Sequence, residues 1–131
     1  MRIIIRRRLT PEEMLERIGL AEMSGDSERL SDLIEAYMAY EEEGEYSYVV
    51  EEEIPLTLAR RLLSAKIVEL LEFLRDREGL CVSEIARTLN RSPSNVYNDL
   101  KLLADYNVIA LERRGRRTIP RLLVEELRIA V

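Results

Sequence analysis

Histidine and tryptophan are absent from the 131 residues, and cysteine and phenylalanine occur once each. With no histidine there is no imidazole base, no cysteine–histidine nucleophile pair and no zinc site of the usual cysteine/histidine kind. No glycine-rich phosphate loop and no GxSxG elbow is present. The carboxylates are spread along the chain as solubilising charge. These absences point away from an enzyme, and no cofactor or metal is expected. Cys81 stands between apolar neighbours, as a buried structural thiol does, and has no partner for an internal disulfide. No apolar run approaches ~20 residues. The opening MRIIIRRRL is too short for the core of a signal peptide. The expectation is a soluble, cytoplasmic protein with no membrane partner.

What is present is charge, unevenly placed. The net charge is −5, yet residues 1–8 carry four arginines and no acid. Residues 9–56 hold fifteen carboxylates against two arginines, and residues 79–121 hold eight bases against four acids. An acidic front and a basic back suggest two surfaces with different partners. The runs Glu41–Glu43 and Glu51–Glu53 read first as solvated surface and second as attraction for a basic protein. Tyr37, Tyr40, Tyr46 and Tyr48 have almost no basic residues around them, so they read as core or interface rather than a base-stacking platform.

Local patterns then divide the chain. Ile3-Ile4-Ile5 reads as a strand. Thr10-Pro11-Glu12-Glu13 is a helix start with a capping box, followed by Met14, Leu15, Ile18 and Ala21 at helical spacing. After a break at Ser24-Gly25-Asp26, the stripe Leu30, Leu33, Ile34, Tyr37 and Met38 predicts a second amphipathic helix. Residues 45–53 alternate and predict a second strand. A short helix is expected from Thr57 to Leu63, then one capped by Ser64 with Ile67, Leu70, Leu71 and Leu74 inward and Gly79 just past its end.

The strongest pattern lies at residues 80–119. Leu80-Cys81-Val82 is expected as a small strand, and Ser83 as the cap of a short helix with Ile85, Ala86 and Leu89 inward. Asn90-Arg91 makes a tight turn. Ser92 caps a further helix, 92–106, with Pro93 first and Val96, Leu100 and Leu103 inward. That spacing turns Ser94, Asn95, Tyr97, Asn98 and Lys101 outward, a set able to hydrogen-bond base edges and phosphates. Asn107 stops the helix, and Val108–Glu112 predicts a strand. Arg113-Arg114-Gly115-Arg116-Arg117 forms a hairpin tip, and Thr118-Ile119 begins the return before Pro120. Four arginines on such a tip can lie along a phosphate backbone or enter a narrow minor groove.

The stretch SEIARTLNRSPSNVYNDLKLLADYNVIALERRGRRTIP resembles the MarR/ArsR-type winged helix-turn-helix regulators of bacteria and archaea. It is most similar to an archaeal DNA-binding group with an N-terminal strand/helix extension. The resemblance implies a transcriptional regulator with helix 92–106 in the major groove of double-stranded DNA and wing 113–117 on the backbone or in the minor groove. The expected DNA-binding residues are Ser92, Ser94, Asn95, Tyr97, Asn98, Lys101, Arg113, Arg114, Arg116 and Arg117. The expected fold is α+β: a strand–helix–helix–strand region over 1–56, for dimerisation or partner binding, then a winged-helix domain over 57–131. A last strand at Leu127–Val131 is expected to pair with Ile3–Ile5. A homodimer is expected. The alternatives are a protein–protein interaction module, or an antitoxin-like regulator that uses its acidic front half against a protein partner.

Overall fold

The computed structural model describes residues 1–131. Eleven elements follow in order: β1 Arg2–Arg8, α1 Pro11–Ser24, α2 Ser27–Glu43, β2 Val49–Glu53, α3 Leu56–Leu62, α4 Ala65–Asp76, α5 Val82–Thr88, α6 Pro93–Asp105, β3 Ile109–Arg114, β4 Arg117–Leu122 and β5 Val124–Ala130. The fold is α+β, with a winged helix formed by α4, α5, α6 and the β3–β4 hairpin.

In β1 the strand period of two decides the sides. Ile3, Ile5 and Arg7 are buried, while Arg2, Arg6 and Arg8 are exposed. β1 is the centre of a three-stranded antiparallel sheet in the order β2-β1-β5. The expected pairing of the two chain ends is present, with Ile3 opposite Ile129 and Ile5 opposite Leu127. A shift between Arg6 and Arg7 lets β5 begin earlier than its apolar alternation indicates, at Val124. Leu123 joins this sheet to the wing. Its N–H donates to the Val108 carbonyl (3.0 Å), and its own carbonyl accepts from the Arg8 N–H (2.9 Å).

Two apolar clusters result. The larger gathers Leu58, Leu62, Ile67, Leu70, Leu74, Ile85, Val96, Leu100 and Leu103 of the helices with Val108 and Ile109, and it includes Ile5 of β1. The smaller holds Leu9, Met14, Ala21, Leu33 and Ala36 between α1, α2 and the sheet. The Thr10–Glu13 capping box forms as its sequence requires. Thr10 Oγ1 accepts from the Glu13 N–H (3.2 Å), and Glu13 Oε1 accepts from the Thr10 N–H (3.1 Å).

Several local expectations are corrected. Leu80–Val82 forms no strand: Cys81 is the N-cap of α5 in place of Ser83, and Val82 is its first residue. The Cys81 carbonyl accepts from Ile85 and its N–H donates to Glu84 Oε1, so its backbone serves the helix start and cannot serve a ladder. β2 starts at Val49 rather than at residue 45, because Tyr46 turns back onto Tyr40 and across to β3 and β4. Leu15, Ile34 and Met38, read as inward, are exposed. Their stripes are wider than the groove between two helices of a thin layer can cover. β4 runs through Pro120 to Leu122. A proline is tolerated because β4 pairs on one side only, with β3.

Candidate nucleic-acid interface

The helix-turn-helix is closed by backbone geometry. Asn90 ends the α5 turn at φ +54, a left-handed conformation that asparagine adopts more readily than most residues. Arg91 then reaches across the turn, its guanidinium paired with Asp99 on α6. The sequence marks Arg91 only as a turn residue; its pair with Asp99 ties that turn to α6. The signal available was a basic residue in the turn and an acid eight positions on.

α6 presents its polar side as its spacing requires. Ser92 Oγ accepts from the Asn95 N–H (3.2 Å) and caps the helix. Val96 and Leu100 are fully buried and Leu103 nearly so, which turns Ser94, Asn95, Tyr97, Asn98 and Lys101 to solvent. Asn98 and Lys101 make no side-chain bond within the molecule, and neither does the Asn95 amide. Helix dipole and free N–H groups at this end favour an anion.

The hairpin turns on Gly115 and Arg116, with Gly115 at φ +64 and Arg114 opposite Arg117. Glycine at the first central position with φ above zero is the pattern of a type II′ turn, whose twist matches that of the strands. The four tip arginines are exposed but unequal. Arg113 donates to Thr118 Oγ1 (3.3 Å), Arg114 pairs with Glu112 (3.3 Å), and Arg117 pairs with Glu84 (3.0 Å). Arg116 has no partner in the molecule. Glu84 lies below the usual glutamate range because Cys81 hydrogen bonds and the charges of Arg117 and Arg87 favour its ionised form.

Behind the wing, Glu112 is a hub. Besides Arg114 it holds Arg121 (2.7 Å) and accepts from the Tyr46 hydroxyl (3.2 Å). Arg121 also donates to the Gly44 carbonyl (2.9 Å) and lies over the Tyr46 ring at 4.2 Å. Tyr46 thus locks the α2–β2 connection onto the wing, while Tyr37, Tyr40 and Tyr48 pack against the smaller apolar cluster, in keeping with their reading as core or interface. Burial and the Glu112 charge push the Tyr46 hydroxyl up to about 12, against the opposing pull of Arg121.

The matched family is described as HVO_A0114 and covers residues 62–129, from the end of α3 into β5. The chain belongs to the HVO_A0114 family. In this HVO_A0114 protein the matched span takes in both motif helices, the wing and the strand that returns to β1. Among solved structures, the AntR antimony-specific transcriptional repressor is similar at 30% identity with a TM-score of 0.47, covering 51% of this chain and 60% of that one. No curated protein matches this chain.

Arg60 and Arg61 also border this region. They line an open hollow with Ser64, Asp99 and Leu102, beside α6. In the sequence the 57–78 stretch is nearly neutral and nothing marks them; only the fold, which sets the end of α3 beside α6 across this hollow, singles them out. No helix is long and apolar enough to cross a membrane, and no group of potential ligands is arranged to hold a metal ion.

Proposed function

We propose that the protein is a transcriptional regulator that binds double-stranded DNA as a homodimer, with α6 in the major groove and the Arg113–Arg117 wing on the backbone or in the minor groove. One observation carries this reading. A capped helix exposes Ser94, Asn95, Tyr97, Asn98 and Lys101 on one side, next to a two-residue hairpin turn whose flanks are arginines. Amides and hydroxyls match base edges, and arginines match phosphates. The chain then divides by function: the helix-turn-helix and wing serve DNA, while the acidic 1–56 region and the last strand, which share one sheet, serve assembly. The test is binding of the full chain to the DNA upstream of its own gene, titrated with salt. A linear fall of log K with log salt and a preference for one site are expected. Equal, weak binding to all sequences counts against it.

A second reading is a docking module for another protein, favoured by Leu15, Leu20, Met23, Ile34 and Met38 standing exposed on the α1–α2 hairpin among carboxylates. Loss of a co-purified partner on replacing Leu20 and Met23 with lysine, with DNA binding unaffected, would separate the two.

A further inference from the structure

β5 is an edge strand that nothing in the molecule covers. Its inner side pairs with β1 from Arg2 to Arg7, whereas no backbone group from Glu125 to Ala130 bonds outside that ladder. Every residue from Glu125 to Val131 is exposed except Leu127, which is half-buried, and Ile129 is 51% exposed. Edge strands are usually blunted by lysine, proline, bulges or shortness. The free stretch of β5 has neither lysine nor proline, and its one irregularity lies at the far end, opposite Arg6 and Arg7. Its charges are of both signs instead: Glu126 and Arg128 flank Leu127.

We infer that this edge pairs antiparallel with the same edge of a second copy, centred on Leu127, to make one continuous sheet β2-β1-β5-β5-β1-β2. This deepens the two-copy part of the function proposed above by naming its surface. The register follows from elimination. A two-fold axis through the sheet sets each residue opposite one on the same face, so the axis must pass through a residue pair. Centring on Glu125 or Glu126 sets a carboxylate against its own copy, and centring on Arg128 sets arginine against arginine; like charges directly opposite are destabilising. Centring on Ile129 shortens the ladder. Centring on Leu127 uses the whole strand and sets Glu126 opposite Arg128 of the partner subunit, twice.

Both faces then continue across the seam. On the outer face Glu51, Arg6 and Glu126 already lie side by side across three strands, and Arg128 of the partner subunit extends that alternation of sign. Arg128 bridges Glu51 (3.2 Å) and Glu126 (3.0 Å) within its own chain. Its guanidinium has donors left for a third carboxylate. On the inner face Ile5 and Leu127 are directly opposite, and Leu127 of the partner subunit extends that apolar row while half-buried Leu127 loses its remaining exposure.

The experiment is sedimentation of the full chain at micromolar concentration with Glu126→Arg and Arg128→Glu. The natural chain is expected to be a dimer. Each variant alone sets like charges opposite and is expected to be a monomer. In the equimolar mixture, positions 126 and 128 of one variant each face the opposite charge on the other across the seam. The mixture is therefore expected to return to a dimer, which misfolded variants would not do. A second measurement does not depend on those folds: Leu127→Cys should form an interchain disulfide under mild oxidation and Glu125→Cys should not, since only the central residue faces its own copy. A monomeric natural chain, variants that stay dimeric, or equal cross-linking at 125 and 127 would each overturn the seam. A dimer that ignores these substitutions and still binds DNA overturns the seam alone, whereas a dimer that obeys them and binds no DNA overturns the DNA reading alone.

Discussion

Arg7 is the one buried charged residue, and it is held from two sides. Glu52 on β2 takes its Nε, and Glu13 on α1 takes both terminal nitrogens, at 2.8 and 2.7 Å. Burial works against the Glu13 charge, but the Arg7 hydrogen bond, the Thr10 N–H and the Arg7 charge outweigh it and hold the carboxyl below the usual value of 4.5. A depressed carboxyl stabilises the fold above its unfolded value, and that contribution is lost as pH falls through the folded one. Stability should therefore drop in acid below the ordinary glutamate range, and Glu13→Gln should flatten that drop in thermal melts taken across pH. Arg7→Ala leaves two carboxylates without their cation and should cost about 3 kcal/mol in urea unfolding. Tyr46 shifts the other way. Its raised value contributes stability that is complete below pH 10 and fades as pH rises towards 12. Ultraviolet titration should show a late tyrosine step towards pH 12, and Tyr46→Phe should remove it. On α6, Asn95→Ala or Asn98→Ala should cost about 1–3 kcal/mol at a preferred DNA site and much less on random DNA. Equal losses on both would make them backbone contacts.

Among the elements, the wing is where neighbouring charges matter most. Arg114 and Arg117 are each tied to a carboxylate and Arg116 is not, so the tip's positive field is weaker than four arginines suggest. Arg114→Ala with Arg116→Ala should lower DNA affinity for every sequence and reduce the salt slope by about 0.9 for each phosphate no longer neutralised. An unchanged slope would place the wing off the backbone. The elements themselves were legible where a local device sets them. The Thr10 and Ser92 caps, the left-handed break at Asn107 (φ +57) and the Val96/Leu100/Leu103 stripe are all as read. The errors fall where a distant partner decides. Tyr46 looks like strand sequence, but Arg121 and Glu112, far along the chain, draw it out of β2.

At the scale of the molecule, the acidic and basic regions are less separate than the sequence suggests. Of the arginines in residues 1–8, Arg2 pairs with Glu53, Arg7 with Glu13 and Glu52, and Arg6 and Arg8 with Glu125. The Glu51–Glu53 run is thus largely paired inside one sheet, and the exposed acid lies on the α1–α2 hairpin and the segment after it, Glu41–Glu43 and Glu45 included. β1 also carries Ile5 into the winged-helix core and covers the inner edge of β5. Deleting residues 1–8 should therefore lower the melting temperature of the winged helix itself and expose β5 on both edges. A fragment that melts as the full chain does would show that β1 is only an attachment.

The amino-acid sequence by itself determined the helix-turn-helix, its outward residues and the hairpin tip, because caps, helical periodicity and turn residues act within a few positions of each other. It also determined strands near both ends, since the β-branched run Ile3-Ile4-Ile5 and the alternation after Leu127 are both local patterns. Tertiary structure alone decided that Arg7 is buried, that Glu112 gathers Tyr46, Arg114 and Arg121, that Arg60 and Arg61 flank α6, and that one edge of β5 stays open. Each of these depends on residues tens of positions apart being brought together, and the free energy of a charge or an open strand edge is set by what surrounds it rather than by its neighbours in the chain.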